Sequence, residues 1–404
     1  MIGEPVVPRY RTLQVMGPEH EFSLVDEELK VKPIVDKIMK SLAGRIVNNI
    51  CKEGFCFGKE LQAHVSEVKA SIPFESPLRF EETMQKAVSS LEEIVQKRFD
   101  AYLLGTGMHP FLLLNETRIW QHRDRRIYDA LSQIFNMNQH GWLNIQSFQL
   151  NLPYRSESEG IKLHNLIVNL IPYLPAISAS SPIYESRVGR SKDNRLHFYG
   201  VSQKEIPSIT GDVVPEYIAS FDEYQRRIIS AYTSELKRAD APALLLGKEW
   251  INSRGAIFRF DRKAIEIRVM DEQECIKMDV ALSCFIRAVL RGWMGSEFNH
   301  QPRDVLINNY QAIVKDGLEA AVDHPAGKNA REVCLSLLGT ANDNATTEEK
   351  KYLTLIEDRI VRGNLSNLIL RDVVIFASER NFHDSVAEVY RRLIKCLQSN
   401  TPYS

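Results

Sequence analysis

Residues 15–24 read VMGPEHEFSL, and this stretch decides the fold. A β-strand turns every second side chain to the same face, so Glu19 and Glu21 would project side by side from an otherwise apolar run. Adjacent carboxylates repel each other unless a cation lies between them, and divalent ions such as Mg²⁺ prefer carboxylate oxygens. A pair of this kind, taken alone, is more often an exposed strand face, so further segments of the same type are needed.

A second charged strand follows late in the chain, where residues 264–271 read AIEIRVMD. Glu266 and Arg268 stand where a buried strand would carry apolar residues, and Asp271 closes the segment. Strands that bring charges inward in this way indicate a metal- and phosphate-handling site. The two segments together predict an enzyme.

The composition is that of a globular protein. The chain has 404 residues, 44% of them hydrophobic and 25% charged, with a formal net charge of −1. This balance disfavours a nucleic-acid partner, which usually selects a strongly basic surface. The start of the chain lacks the pattern of a secretory signal, and the uncharged stretch 165–184 contains three prolines, which favours a buried helix and loop over a membrane span. We therefore expect a cytoplasmic protein with small-molecule partners. The pattern is compatible with either a monomer or a homo-oligomer.

Six cysteines are scattered along the chain, and reduced thiols are the expected state in the cytoplasm. Cys51 and Cys56 could face each other across a turn at Glu53-Gly54. A regulatory disulfide between them is the less favoured alternative.

The order of the predicted elements excludes a regular β-α-β-α alternation. Strands are predicted at 11–26, 45–72 (a hairpin and a strand), 144–154 and 255–271 (a hairpin). Helices are predicted at 80–98, from the capping pair Ser156 and Glu159 onward, at 217–238, and over nearly all of the chain after 277. Residues 186–215 are predicted as a loop covering the active site, and Thr340–Lys351 as a polar connector.

The pattern predicts an α+β fold, with the chemistry on one face of an antiparallel sheet and helices packed on the other. We divide the chain into a catalytic core, 1–290, and a mainly helical portion, 291–404, packed on it, which together form one structural unit.

Glu60 and Glu67 form a further acidic pair, but they are seven residues apart. A regular strand would put them on opposite faces, so the spacing alone favours two unrelated surface acids. The turn at Gly105–Phe111 lacks the spacing of a phosphate loop. The arginine-rich segment with Arg187, Arg190 and Arg195 is by default a solvated loop. If it folds over an acidic metal cluster, it would suit a polyphosphate or a substrate carboxylate.

Taken in order, these segments resemble the glutamate–cysteine ligase superfamily, in the group of bacterial carboxylate–amine ligases and plant-type glutamate–cysteine ligases. Residues 17–22 (GPEHEF) resemble its opening G-x-E-x-E strand, and Glu60 and Glu67 have its seven-residue spacing. Residues 105–111, 177–182 (ISASSP) and 265–271 resemble its G-T-H-P-F, S-A-S-S-P and E-x-R-x-x-D elements. Residues 147–153 (SFQLNLP) resemble the V-Q-x-N-L strand of the plant-type enzymes, which favours glutamate as the acyl substrate.

The resemblance implies a glutamine-synthetase-like fold, in which a curved antiparallel sheet forms a funnel surrounded by helices. It also implies amide formation from ATP, a carboxylate and an amine through an acyl phosphate. Two or three Mg²⁺ ions, or Mn²⁺ in their place, would be bound by five glutamates: Glu19, Glu21, Glu60, Glu67 and Glu266. Arg268, beside Glu266, would stabilise the transferring phosphoryl group, and substrate or nucleotide would contact Gln149, Asn151, Arg254, Arg259 and Arg187.

The acceptor amine is not fixed by these motifs. Cysteine is the first candidate, and another amine is the nearest rival to it. A guanidino phosphotransferase would also be compatible with the motifs, as would a non-catalytic ligase homologue that acts as a binding subunit.

Overall fold

A computed structural model describes residues 10–404 of the chain. Twelve strands are found in this part of the chain: β1 Gly17–Val25, β2 Asn49–Lys52, β3 Phe55–Lys59, β4 Val65–Ala70, β5 Tyr102–Leu104, β6 Ser147–Pro153, β7 Ile183–Tyr184, β8 Arg187–Val188, β9 Ala256–Arg259, β10 Ala264–Asp271, β11 Ala321–His324 and β12 Gly327–Asn329.

The α-helices that accompany them range from a single turn to twenty-three residues. Those that precede β9 are α1 Val35–Ala43, α2 Pro77–Phe99, α3 Arg125–Ser132, α4 His140–Leu143, α5 Glu157–Leu170, α6 Leu174–Ser178, α7 Asn194–Tyr199, α8 Pro207–Thr210, α9 Phe221–Tyr224 and α10 Ser230–Arg238. Those that follow β10 are α11 Ile276–Met294, α12 Arg303–Asp316, α13 Ala330–Asn344, α14 Thr347–Arg362, α15 Leu365–Ala377 and α16 Phe382–Ser399.

One antiparallel sheet of eight strands organises the fold. Its order is β2-β3-β4-β1-β6-β10-β9, and β5 pairs with β1 where β1 has separated from β6. Helices surround this sheet, which confirms the predicted α+β class. The central strands come from four distant parts of the sequence, so the sheet brings the motifs of residues 17–22, 60–67, 147–153 and 265–271 side by side.

The apolar side of the sheet packs against helices. Phe22, Phe148 and Ile267 are fully buried on this side, in a core shared with α2, α5 and α11. Helix α11 runs through the middle of this core, where α13 and α14 cover it. A second, smaller core joins β5 and β7 to α15 and α16. One side of the sheet is thereby held rigidly, and the other is left for chemistry.

Several predicted elements are confirmed and others are wrong. The hairpin turn at Glu53-Gly54, the strand in 144–154 and the Ser156 cap of α5 are all present. The connector at Thr340–Lys351 is wrong, because α13 continues to Asn344 and the Thr346 side chain caps α14 at once. The helix at 217–238 begins only at Phe221, and a π-helical turn at Gln225–Ile229 interrupts it.

Two further differences concern segments that periodicity did not reveal. The loop at 186–215 contains α7 and α8, and the C-terminal portion contains the hairpin β11–β12.

The expectation of reduced thiols is wrong for one pair, because the structure joins Cys51 and Cys56 in a disulfide across β2 and β3. The other four cysteines are free.

Candidate active site

The polar face of the sheet collects the charged side chains of four strands. Cross-strand partners share a face, and Glu21 of β1 lies directly opposite Glu67 of β4. Glu19 lies between Lys69 of β4 and Gln149 of β6. On the next strand pair, Asn151 of β6 lies opposite Glu266 of β10. Glu19 and Glu21 therefore project from the same face of β1, as predicted.

Glu60 and Glu67 also lie on this side, contrary to the expectation from their spacing. Strand β3 ends at Lys59, so Glu60 lies in the link to β4 and the two glutamates are not on one strand. The parity of their spacing therefore carries no information about their faces. Gly58, opposite Glu67, leaves room for its carboxylate, since a Cβ at Gly58 would lie 2.3 Å from Glu67 Oε2.

The acidic cluster has the electrostatics of a cation site. Burial raises the pKa of Glu21 to about 7, with a further contribution from the charge of Glu67. Burial and the charge of Glu21 raise the pKa of Glu60 to about 7 as well. Burial, Glu19 and Glu60 raise the pKa of Glu67 well above its ordinary range. Three carboxyl groups that resist ionisation together are a place where a dication would be favourable.

Glu19 differs from its neighbours because cations already hold it. Arg262 Nη1 donates to Glu19 Oε1 at 2.6 Å, and Asn151 Nδ2 donates to the same oxygen at 3.0 Å. Burial alone would raise the pKa of Glu19, but the charges of Arg262 and Lys69 outweigh it and lower the pKa to about 2. Glu19 is therefore a carboxylate at any physiological pH.

Glu266 holds two arginines in place. Arg259 Nη1 donates to its Oε2 and Arg268 Nε to its Oε1, both at 2.5 Å. Arg268 also donates to the Asn252 carbonyl at 3.1 Å, which fixes its guanidinium. Both carboxylate oxygens of Glu266 are thus used by cations, and its role as a metal ligand stays a prediction.

A β-bulge in β10 keeps Asp271 on the polar side. Ile267 pairs with Leu150 and Met270 with Phe148, so Arg268 and Val269 together lie opposite one residue of β6. Asp271 consequently pairs with Ser147, although it is three residues beyond Arg268. There its carboxylate accepts from Arg195 Nε at 2.5 Å.

The arginines and acids surround a cavity of about 240 Å³. Its charged lining residues are Glu21, Glu60, Arg195 and Arg268. A second cavity, of about 490 Å³, lies at the other end of the polar face, and Glu19, Lys69, Asn151 and Arg262 line it together with the disulfide. The row of carboxylates on β1 therefore runs from one cavity to the other.

The remaining predicted residues are distributed as follows. Gln149 lines the smaller cavity, where its Nε2 donates to Glu21 Oε1 at 3.0 Å. Arg254 contributes to neither cavity, because Glu216 binds its guanidinium in a bidentate pair at 2.6 and 2.9 Å. Arg187 is exposed and pairs with Glu185 at 2.8 Å, also outside both cavities.

The sequence interpretation placed Arg195 in a solvated loop by default, whereas this residue is only 2% exposed and reaches the cavity. A buried Asp271 in the E-x-R-x-x-D strand requires a cationic partner, and that requirement was the available signal. Gly107, in the turn at 105–111, has a comparable role, because a Cβ there would lie 2.2 Å from the Asp271 carboxylate carbon. The turn is therefore packed closely against the Asp271 carboxylate.

Beneath the polar face, a second group of ionisable side chains lies in the core. His20 points away from Glu19 and Glu21, and its Nδ1 lies 3.3 Å from both Glu272 Oε1 and Asp279 Oδ2. Burial lowers the pKa of His20, but the two carboxylates outweigh it and raise the pKa to about 9. Glu272 also accepts the backbone N–H of Glu21 at 3.0 Å, so this group contacts the strand of the active site directly.

Comparisons with known proteins agree with this architecture. Residues 15–392 match the family model described as glutamate-cysteine ligase family 2 (GCS2). An uncharacterized protein of Archaeoglobus fulgidus is 44% identical over 390 residues, which cover 96% of this chain and 100% of that protein.

Among solved structures, glutamate–cysteine ligase from Francisella tularensis in complex with AMP superposes with a TM-score of 0.64 at 13% identity, over 96% of this chain and 90% of that one. A bifunctional glutathione synthetase from Pasteurella multocida superposes with a TM-score of 0.60 at 15% identity, over 95% of this chain and 53% of that one. At these identities the likeness shows a shared fold. No helix within residues 10–404 is long and apolar enough to cross a membrane.

Proposed function

Because the chain belongs to glutamate-cysteine ligase family 2, we propose that it is an ATP- and Mg²⁺-dependent ligase that joins a carboxylate substrate to an amine. Glutamate is the proposed carboxylate, and cysteine is the first amine to test. The observation that carries this proposal is that Glu21 and Glu60 line one cavity together with Arg195 and Arg268, while Glu67 lies directly opposite Glu21 on β4.

The acidic cluster fits a divalent metal. Glu21 and Glu67 are buried and Glu60 is partly buried, and the three lie close enough to raise one another's pKa. A dication would relieve that repulsion. Carboxylate oxygens are the donors that Mg²⁺ prefers, and Mn²⁺ accepts the same set. When bound, the metal would neutralise the phosphates of ATP and template in-line transfer.

The two cavities suit two substrates. We assign the nucleotide to the larger cavity, where Lys69 and Arg262 provide positive charge. We assign the carboxylate substrate to the smaller cavity, where Arg195 and Arg268 would bind an acidic group. Glu19 lines the first and Glu21 the second, so the reacting phosphate would lie above β1. The AMP bound to the Francisella ligase of similar fold supports a nucleotide site.

The proposed reaction has two steps. The substrate carboxylate attacks the γ-phosphorus of ATP, the bond from that phosphorus to the β-phosphate oxygen breaks, and ADP leaves. The amine then attacks the acyl phosphate carbon, inorganic phosphate departs, and the amine loses a proton. Arg268, held by Glu266 and the Asn252 carbonyl, is placed to stabilise charge on the transferring phosphoryl group.

The test is phosphate release from Mg-ATP with L-glutamate and a panel of amines, with products identified by mass spectrometry. A γ-glutamyl amide that forms with one amine supports the proposal and names the acceptor. Phosphoryl transfer to a guanidine compound without an amide product would instead show a phosphotransferase. Nucleotide binding without turnover by any combination would favour a binding subunit.

The variant Glu21→Gln tests whether the acidic cluster is needed for activity. The variant removes the charge that faces both Glu60 and Glu67, and we expect kcat to fall about 100-fold or more. Glu93→Gln is the matched control, because Glu93 is exposed on α2 and pairs with Lys97 one turn further along the helix. Equal activity of both variants would contradict the metal assignment.

A further inference from the structure

The group beneath the sheet has the composition and spacing of a second metal site. We propose that His20, Glu272 and Asp279 bind a divalent transition-metal ion such as Zn²⁺. One donor atom from each residue lies within 4.8 Å of the other two, and all three side chains are fully buried. This site is distinct from the acidic cluster, because His20 lies on the opposite face of β1 from Glu19 and Glu21.

The distances within the group suit ligands of a shared ion, since the His20–Glu272 hydrogen bond is long. His20 Nδ1 is 3.3 Å from Glu272 Oε1 and 3.3 Å from Asp279 Oδ2. Charge-assisted hydrogen bonds between nitrogen and carboxylate are shorter, about 2.7–2.9 Å. Two ligands bound about 2.0–2.1 Å from a tetrahedral Zn²⁺ are themselves about 3.3 Å apart.

Asp279 supplies an independent observation. Neither of its carboxylate oxygens has a hydrogen-bond partner among the described residues, although the residue is fully buried. Burying a carboxylate in this state is unfavourable unless a cation compensates it. Asp279 lies in the first turn of α11, where the helix dipole favours the charged form.

The charge balance points to a dication. Two carboxylates with a protonated imidazole would leave one net negative charge in the core, whereas two carboxylates with a neutral imidazole and a dication leave none. Each ligand retains a free donor atom for the ion, because Glu272 uses only its Oε2 for the Glu21 N–H. A mixed nitrogen and oxygen set suits Zn²⁺, Co²⁺ or Fe²⁺ rather than Mg²⁺, which prefers oxygen alone.

The ion would be structural. It would tie β1 to the segment after β10 and to the start of α11. It would also fix the Glu272 carboxylate. The pairing of β1 with β6 ends at His20, and the backbone N–H of the next residue, Glu21, donates to Glu272 instead of to a strand. This site does not depend on the proposed ligase reaction.

The test is metal content. The purified full-length protein is dialysed against EDTA, which removes ions from the open polar face, and is then analysed by inductively coupled plasma mass spectrometry. We expect about one equivalent of a single transition metal in the wild type and in Glu19→Gln, which changes only the other face. Asp279→Asn should hold less than a tenth of an equivalent.

A second measurement covers variants that fold poorly. Wild-type protein is unfolded, stripped of metal and refolded with Co²⁺, which should produce the visible absorption of a tetrahedral cobalt site and raise Tm. His20→Gln should show neither change. A wild type that contains no transition metal after purification, and whose spectrum and Tm do not respond to Zn²⁺ or Co²⁺ on refolding, overturns the proposal.

Discussion

At the scale of single residues, the site depends on a glycine whose lack of a side chain leaves space for a carboxylate. Gly58 faces Glu67 across β3 and β4, and the Glu67 carboxylate occupies the space that a Cβ would need. In Gly58→Ala this carboxylate must leave its present position. We expect the Mg²⁺ concentration for half-maximal activity to rise about 10-fold or more, measured by phosphate release at saturating substrates.

Gly339→Ala is the control for this substitution. It adds the same methyl group in α13, where nothing lies within 4 Å of the new Cβ. Its Mg²⁺ dependence should match the wild type. An unchanged Mg²⁺ dependence in Gly58→Ala as well would show that Glu67 does not bind the metal.

Glu92 gives a pH-dependent stability that has no connection with catalysis. It is buried in α2, its Oε1 has no hydrogen-bond partner among residues 10–404, and burial raises its pKa to about 8. The unfolded chain releases this proton near pH 4.5, so the folded state binds the proton more tightly. Stability therefore falls as the pH rises from about 4.5 to about 8.

Glu92→Gln should remove this loss. Between pH 5 and pH 9 we expect the free energy of unfolding of the variant to gain up to about 4 kcal/mol relative to the wild type, measured by urea unfolding. Glu93→Gln, one residue further along the same helix and exposed, should change little across this range. A flat difference for Glu92→Gln would mean that Glu92 is ionised in the folded protein.

At the scale of elements, one buried carboxylate joins two helices of the core. Glu349, in the first turn of α14, accepts from Arg287 Nε at 2.6 Å and from Arg291 Nη1 at 2.9 Å, both on α11. Removing its charge leaves Arg287 buried without a counter-charge. We expect Glu349→Gln to lower the free energy of unfolding by about 3–5 kcal/mol in urea denaturation.

Glu357→Gln provides the comparison for Glu349→Gln, because Glu357 lies on the more exposed side of the same helix. It should stay within about 0.5 kcal/mol of the wild type. Similar small losses for both variants would contradict the role assigned to the buried pair.

Regular elements are where the sequence was most informative. β1, β6, β10 and α2 were predicted because period-2 or period-3.6 patterns report which side of an element is buried. The predicted connector at Thr340–Lys351 is wrong because helix-capping residues are polar too. Thr346 and Glu349 form the cap of α14 directly after α13 ends. Polarity alone does not distinguish a loop from a tight junction between two helices.

The site was predictable only in part, for a related reason. Glu19, Glu21 and Glu266 project from strands whose alternation can be read directly. Glu60 lies beyond the end of β3, so its orientation depends on a turn that no period describes. Arg195 belongs to a short helix inside a segment without periodicity, and only Asp271, far along the chain, indicates the need for it.

At the scale of the whole molecule, the division at residue 290 stays a prediction, and it can be tested by truncation. α11 ends close to that boundary, and its buried surface is covered by α13 and α14, which belong to the other portion. A chain of residues 1–290 would expose this apolar surface. We expect it to lack a cooperative thermal transition by circular dichroism, whereas the full chain has one.

Co-expression supplies the control for the truncation. Residues 291–404, provided as a separate chain, should restore solubility and a cooperative transition, since both surfaces would again be covered. Independent folding of residues 1–290 would show that the C-terminal helices form a dispensable domain.

The bulge in β10 has a consequence for how this strand can change during evolution. The bulge gives β10 one residue more than β6 at this point. If Val269 were deleted, the two strands would pair regularly, and Glu266, Arg268 and Asp271 would all stay on the polar face. A residue gained at the same point would need a further irregularity to preserve those orientations. Descendant sequences should therefore tolerate shortening here more readily than lengthening.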